Sequence, residues 1–417
     1  MITLIETLNF RCLRFVRQPL RQFQVLVGPN ASGKTTFLDV VSFLSQLVSD
    51  GLDAAISERT QNFVDLLWGR AGGGFELALE AKIPDEVRQK MAKPIYDTVR
   101  YEVGISVASD SSEVGITAER GWLQVDKPQY GKQRSFFPNP ADPPETIFHG
   151  KHPKTRSLFT KTPGGNDNYY ADAHERDGRW APAFKLGPRK STLGNLPEDE
   201  LNFPVSTWFK QFLGEGVQQI VLNSLRIRRA SPPGQERGFK PDGSNLPWIV
   251  ADLTRQNPER IRDWISHVRT ALPDIKHVGT IIREDDRHCY LTLGYPGGLD
   301  VPSWMASDGT LRLMALTLPA YLDAFQGVYL IEEPENGIHP RAVETMYQSL
   351  SSVYDAQIFL ATHSPVILSI VNPDDVLCFA KTIDGATDIV SGKEHPKLRD
   401  WQGQTNLGEL FAAGVLG

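Results

Sequence analysis

The chain has 417 residues, 40% of them hydrophobic and 23% charged, with a net charge of −6. That length buries a sizeable core without metal or disulfide staples, and the acidic balance excludes a protein whose whole surface gathers nucleic acid. Three cysteines, Cys12, Cys289 and Cys378, stand far apart with no CxxC pair or zinc spacing, and no stretch approaches the roughly 18 apolar residues of a membrane helix. The amino terminus lacks the charged and apolar regions of a secretory signal, so a cytoplasmic protein without a membrane span is expected.

In chain order, residues 1–9 and 22–28 read as strands, and Phe37, Leu38, Val41, Leu44 and Val48 recur at helical spacing over 34–48. Between strand and helix lies Gly28-Pro29-Asn30-Ala31-Ser32-Gly33-Lys34-Thr35, followed by Thr36: a full GxxxxGK[ST] loop in the context its mechanism needs. Glycines let successive N–H groups face a phosphate at the helix amino end, Lys34 adds a point charge on the β- and γ-phosphates, and the Thr35 hydroxyl ligates Mg²⁺. ATP with Mg²⁺ is therefore the expected ligand.

Stretches 75–83, 99–108 and 113–125 alternate and are joined by polar turns, predicting an antiparallel layer. From 126 to 192 the chain turns to Pro, Gly, Asn, Lys and Arg, with twelve Lys and Arg against seven Asp and Glu. Its plain reading is a solvated, irregular basic insertion, extending to about 202; a surface for phosphates or a partner is the alternative. Order returns with a short amphipathic helix near Phe203 and a strand over 217–227 that runs into Arg226, Arg228 and Arg229. A helix over 258–272 and strands over 276–283 and 289–294 follow. The last third alternates helix and strand, as in a parallel sheet covered on both faces. The expected domains are an amino-terminal lobe over 1–125, the insertion over 126–202 and a carboxy-terminal lobe over 203–417.

Val328–Ile331 is an apolar strand that ends in Glu332 and Glu333. A strand beside a P-loop strand delivers a carboxylate to the Mg²⁺ shell and, one residue on, a group that polarises water; Glu332 fits the first role and Glu333 the second. One strand later, 357–361 ends in Thr362-His363-Ser364-Pro365, where a neutral His363 imidazole is suited to donate to a γ-phosphate. Ser307-Asp308-Gly309 opens a helical run and makes another anion-binding amino end. The tail over 405–417, with Leu407, Leu410, Phe411 and Leu416, reads as a small amphipathic segment for core packing, with a docking role as the alternative.

The order of these motifs resembles the ABC-type ATPases, in the bacterial AAA-type group that includes the overcoming-lysogenization-defect family, RecF and SMC heads. The strings that carry the resemblance are NFR at 9–11, GPNASGKTT, SDGTLRLMAL, LIEEPENGIHP and LATHSPVIL, over roughly residues 1–83 and 217–380. It implies an α/β P-loop NTPase fold with a mixed central sheet, an antiparallel β layer and a helical lobe, working as a homodimer. It also implies that Ser307 and Gly309 touch the γ-phosphate of ATP bound to the other subunit, with Glu333 as catalytic carboxylate and His363 as switch histidine. The signature here is Ser-Asp-Gly where transporters carry Leu-Ser-Gly-Gly-Gln, Glu332 replaces a common aspartate, and no glutamine stands out for the Q-loop.

Transporter subunits fit poorly with that signature, and the roughly 270 residues between P-loop and signature lack the heptads of SMC arms. Only about 50 residues follow Pro365, too few for a further nuclease domain. The resemblance extends to bacterial anti-phage modules such as Septu or PARIS, where such an ATPase works with a separately encoded effector, for instance a nuclease. A sensor or scaffold of that kind is expected, against two alternatives: a RecF-like repair clamp binding DNA through Arg226, Arg228, Arg229 and the basic insertion, or a nucleotide-gated module with negligible hydrolysis.

Overall fold

The computed structural model describes residues 1–107, 113–125, 134–150, 153–174, 182–235, 238–322 and 325–398. The expected amphipathic tail over 405–417 lies outside them. The chain divides into two compact units: one holds Met1–Val217 and resumes at Pro373, the other spans Gln218–Asn372. This interleaving replaces the three consecutive stretches expected from the sequence.

The first unit opens with β1 (Ile2–Phe10), β2 (Leu13–Pro19) and β3 (Phe23–Val27), then α1 (Lys34–Ser49) and the short α2 (Leu52–Ser57). β4 (Gly74–Lys82) follows, then one turn of helix, α3 (Asp85–Arg88), and β5 (Thr98–Val107) and β6 (Val114–Gln124). Next come β7 (Arg156–Lys161), β8 (Asp167–Tyr169), β9 (Ala183–Phe184) and α4 (Pro204–Gly214). Eight of these strands form one sheet in the order β2-β1-β4-β5-β6-β7-β8-β9, with the antiparallel layer expected from residues 75–125 at its centre. The stretch read as irregular thus supplies three strands; they were illegible because each is short and bounded by breakers such as Pro163-Gly164-Gly165.

The two faces of this sheet differ. On one, Tyr101 meets Phe159 and Phe209, with ring centroids 6.0 and 5.9 Å apart, so α4 packs on an apolar surface. On the other, fully buried Arg100 is held by Glu6 at 2.8 Å, Glu80 at 3.0 Å and Glu102 at 2.7 Å. Such a charge is tolerable inside because carboxylates surround it and hydrogen bonds satisfy most of its N–H groups; Ile147 O supplies a fourth oxygen at 3.0 Å. Ile147 packs with Leu8 and Ala78, so residues around it cover this face. α1 buries every apolar residue singled out by its periodicity, and its Phe43 joins Phe10, Phe63 and Phe75 in an aromatic cluster.

In the second unit, β10 (Val217–Ile220) leads to α5 (Ser224–Ile227), α6 (Leu246–Gln256) and α7 (Pro258–Ala271). The strand expected over 217–227 stops early because the Asn223 side chain accepts from Arg226 N and caps a helical turn instead. β11 (His277–Ile282), β12 (Cys289–Tyr295) and β13 (Leu299–Pro302) form an antiparallel sheet. α8 (Asp308–Thr317), β14 (Val328–Glu332), α9 (Pro340–Ser351), β15 (Gln357–Ala361) and α10 (Pro365–Ile370) complete the unit. β14 and β15 pair in parallel, in register from Val328 with Gln357 to Glu332 with Ala361. Buried Trp264 of α7 donates to Thr317 Oγ1 at 3.0 Å, tying α7 to α8.

The chain then returns to the first unit through β16 (Val376–Lys381) and β17 (Thr387–Ser391). β16 pairs in parallel with β3, Val25 opposite Val376, and antiparallel with β17. No described helix is long and apolar enough to cross a membrane.

Candidate functional site

In the first unit the loop from Gly28 to Gly33 links buried β3 to α1. Its glycines are demanded by the protein itself as well as by any ligand. A Cβ on Gly28 would lie 2.3 Å from Phe379 O, and one on Gly33, at φ 104°, would lie 2.4 Å from Thr387 Oγ1. Thr387 Oγ1 also donates to Ser32 O at 2.9 Å, so β16 and β17 form the back of the loop. Ala31 sits in the left-handed region at φ 61°. Gly33 caps α1 without any side-chain bond, so the first N–H groups of a sixteen-residue helix remain suited to an anion.

Lys34 is buried, and its Nζ donates to Gly28 O at 2.8 Å and Pro29 O at 3.0 Å, curled against the loop it would serve. Pro29 and Asn30 are exposed at the loop crest, and Thr35 is exposed on the first turn of α1. Thr36 Oγ1 accepts from Cys12 Sγ at 3.5 Å, and Arg11 of the NFR string pairs with Asp39 of α1 at 3.0 Å. All nine residues from Gly28 to Thr36 therefore occupy one loop and helix start.

In the second unit, β14 delivers Glu332 at its last position, half-buried. Glu333 follows in the left-handed region at φ 46°, its N–H donating to Ala361 O at 2.8 Å while its side chain is exposed. A non-glycine residue there costs about 1–3 kcal/mol and persists where surrounding structure enforces it, commonly at functional positions. Asn336 Nδ2 donates to Glu333 Oε2 at 2.5 Å and fixes the carboxylate. His363 is half-buried just beyond β15, which places it one strand over from Glu332.

Sequence reasoning missed Glu335. Its Oε1 accepts from Thr362 Oγ1 at 2.6 Å and from His363 N at 3.1 Å, while Oε2 is buried without a hydrogen-bond partner. Glu335 thus hangs the His363 backbone on the turn that carries Glu333; nothing in the string EEPEN marks it. Glu335→Ala is expected to lower ATP turnover about tenfold, the value of one charge-assisted hydrogen bond, while leaving the KM for ATP within about threefold. Steady-state phosphate release across ATP concentrations measures both.

Ser307 caps α8: its Oγ accepts from Thr310 N at 3.1 Å and donates to Thr310 Oγ1 at 2.7 Å. Asp308 pairs with Arg228 Nε at 2.7 Å, and Arg228 Nη1 also donates to Trp304 O at 3.0 Å. A Cβ on Gly309 would lie 2.7 Å from Gly337 O, so the turn after Glu333 abuts the first turn of α8. The second unit thus gathers Glu332, Glu333 and His363 at neighbouring strand ends and sets Ser307, Asp308 and Gly309 against the same turn. The basic cluster is partly spent on ion pairs, since Arg226 binds Asp242 at 2.8 Å as Arg228 binds Asp308.

The donor set suits magnesium, which takes hard oxygens from one or two side chains and completes its shell with water and phosphate. Thr35 in the first unit and Glu332 in the second each carry a hard oxygen of that kind.

The family model described as "AAA domain, putative AbiEii toxin, Type IV TA system" matches residues 23–369. Among solved structures, the chain is similar to an SMC head bound to the C-terminal winged-helix domain of ScpA, with a TM-score of 0.51 and 14% identity over 93% of this chain and 97% of that one. It is also similar to the SMC head domain from Thermotoga maritima, with a TM-score of 0.45 and 12% identity over 94% and 98%. The first of these likenesses speaks for the fold alone, that of an SMC head. No curated protein matches the chain.

Proposed function

This chain belongs to that family of AAA domains, and from this premise we propose that it hydrolyses ATP as a homodimer, each subunit closing the other's nucleotide site, to drive a separately encoded effector. The observation that carries the reading is Glu333: a carboxylate at a strand end, held in a strained backbone position and braced by Asn336. Oε2 takes the amide N–H, which leaves Oε1 to accept a proton from an attacking water.

In this proposal Lys34 and the α1 amino end bind the β- and γ-phosphates, and His363 donates to the γ-phosphate. Glu332 and Thr35 hold the magnesium ion, which when bound neutralises charge building on the phosphate oxygens. Glu333 orients and deprotonates the water. Ser307 and Gly309, at the amino end of α8, contact the γ-phosphate held by the partner subunit, and Asp308, fixed by Arg228, keeps that end in shape.

A cytoplasmic defence complex is the setting we propose, with the ATPase as sensor or scaffold and a nuclease as one kind of effector. The family description, which names a toxin–antitoxin system, is in keeping with action through a second protein. A DNA-repair clamp, binding through Arg226, Arg228, Arg229 and the basic insertion, is the second reading, and the pairing of Arg226 with Asp242 and Arg228 with Asp308 weakens it by occupying two of those three arginines. Light scattering after size exclusion tests the dimer: ATP with magnesium should raise the mass from 46.5 kDa to twice that value or hold it there, and a monomer under both conditions overturns the pairing.

A further inference from the structure

The support behind the phosphate loop is itself held by residues from the stretch read as an irregular basic insertion. Asp388 stands next to Thr387 on β17 and is buried, so its carboxylate needs partners. Arg134, 254 residues earlier, sets one nitrogen across it: Nη1 donates to Oδ1 at 2.8 Å and to Oδ2 at 2.7 Å. Asn139 N donates to Oδ2 at 2.6 Å, and Ile389 N to Oδ1 at 2.9 Å. Arg134 also grips the strand backbone, giving Nη2 to Ile389 O at 3.1 Å. The Phe137 ring meets that of buried His395 at 5.2 Å, a second anchor from the same segment.

From Asp388 the connection to the loop is one residue long. Thr387 is fully buried; its N–H goes to Cys12 O at 2.9 Å and its hydroxyl to Ser32 O at 2.9 Å. Its side chain also fills the space that a Cβ on Gly33 would need. β17 lies at the edge of its sheet and among the described strands pairs with β16, Thr387 opposite Lys381 and Asp388 opposite Ala380. Its place against the loop therefore depends on the bonds to Cys12, Ser32 and Arg134 as well as on that ladder.

We infer that Arg134 is a positioning residue of the nucleotide site: through Asp388 it sets β17, and through Thr387 it sets the Ser32 carbonyl, so that the insertion latches the phosphate loop. The inference rests on the reading that the loop from Gly28 to Thr36 binds nucleotide, and it stands within the first unit alone. Withdrawing Arg134 leaves a buried carboxylate without its counter-charge. The strand then shifts, Thr387 lets go of Ser32 O, and the loop spends less time in the shape that receives a phosphate, which lowers apparent affinity in proportion. The coupling is reciprocal, so bound nucleotide tightens the hold of Arg134 on β17.

Calorimetry of the full chain with a slowly hydrolysed ATP analogue tests it, because affinity and stoichiometry are read separately. Arg134→Ala should weaken affinity about tenfold, the worth of one hydrogen bond, at unchanged stoichiometry. Arg134→Lys, whose ammonium can also span the two Asp388 oxygens, should recover most of that loss. Thr387→Val keeps the shape, removes the hydroxyl and should weaken affinity to a similar extent. Because both act through Ser32 O, the double variant of Arg134→Ala with Thr387→Val should bind no worse than the weaker single variant, whereas independent effects would multiply to about 100-fold. If Arg134→Ala does not fold, Asp388→Asn replaces it in the cycle, since it removes the charge that Arg134 grips and keeps an oxygen for Asn139 N. The inference is overturned if Arg134→Ala binds as tightly as wild type, if only its stoichiometry falls, or if the two effects multiply. Failure of the underlying reading looks different: Lys34→Ala binds the analogue undiminished or wild type does not bind it, and either result removes the site that Arg134 would position.

Discussion

Glu333→Gln is expected to leave ATP binding intact while cutting steady-state phosphate release by about 10²–10⁴-fold, the usual contribution of a positioned general base. The substitution keeps the side chain's length, and its amide oxygen still accepts from Asn336 Nδ2, so the strained turn at φ 46° has no reason to rearrange. Only the capacity to take a proton is lost. ATP then stays bound and the protein should accumulate as an ATP-loaded dimer, visible as retained nucleotide on a desalting column and doubled mass in light scattering. Turnover within twofold of wild type would remove Glu333 from the role of base, and equally slow turnover in both proteins would favour a module gated by nucleotide without hydrolysis.

Lys34→Ala should fail one stage earlier. Removing an ammonium from the β- and γ-phosphates forfeits charge-assisted hydrogen bonds worth about 1.5–3 kcal/mol each, so nucleotide affinity should fall at least about 100-fold. Calorimetry with a slowly hydrolysed ATP analogue measures this directly. Thermal unfolding supplies the control: the analogue should raise the midpoint of wild type and leave that of the variant unmoved. Because Lys34 also ties down Gly28 O and Pro29 O, the unliganded midpoints must be compared first. Undiminished affinity would show that this loop is not where ATP binds.

The phosphate loop was legible because its chemistry is local: nine consecutive residues carry the glycines, the lysine and the hydroxyls, and α1 announces itself by period. The position of Glu332, Glu333 and His363 at neighbouring strand ends was legible because an apolar run precedes each. What stayed hidden depends on distant partners. Gly28 and Gly33 are crowded by Phe379 and Thr387, some 350 residues later, and no spacing rule connects them. Glu335 is ordinary in sequence and acquires meaning only through Thr362 and the His363 N–H. The 217–227 run shows the converse error, an apolar pattern overruled when one side chain, Asn223, bonds its own backbone. β7, β8 and β9 escaped because each is too short to show a period and is bounded by breakers.

The pairing of β3 with β16 has a consequence for how the protein is made. While a ribosome is still translating the first 370 residues, the strand that leads into the phosphate loop has no β16 beside it, and Ser32 O has no Thr387 to receive a bond from. A nascent chain can therefore assemble most of its antiparallel layer early but cannot finish the loop's support until Thr387 has been made. A chain released prematurely, before residue 376, would expose one edge of β3 and leave Gly28 and Gly33 without the wall that shapes them. The shape of the loop thus waits on residues made some 350 positions after it.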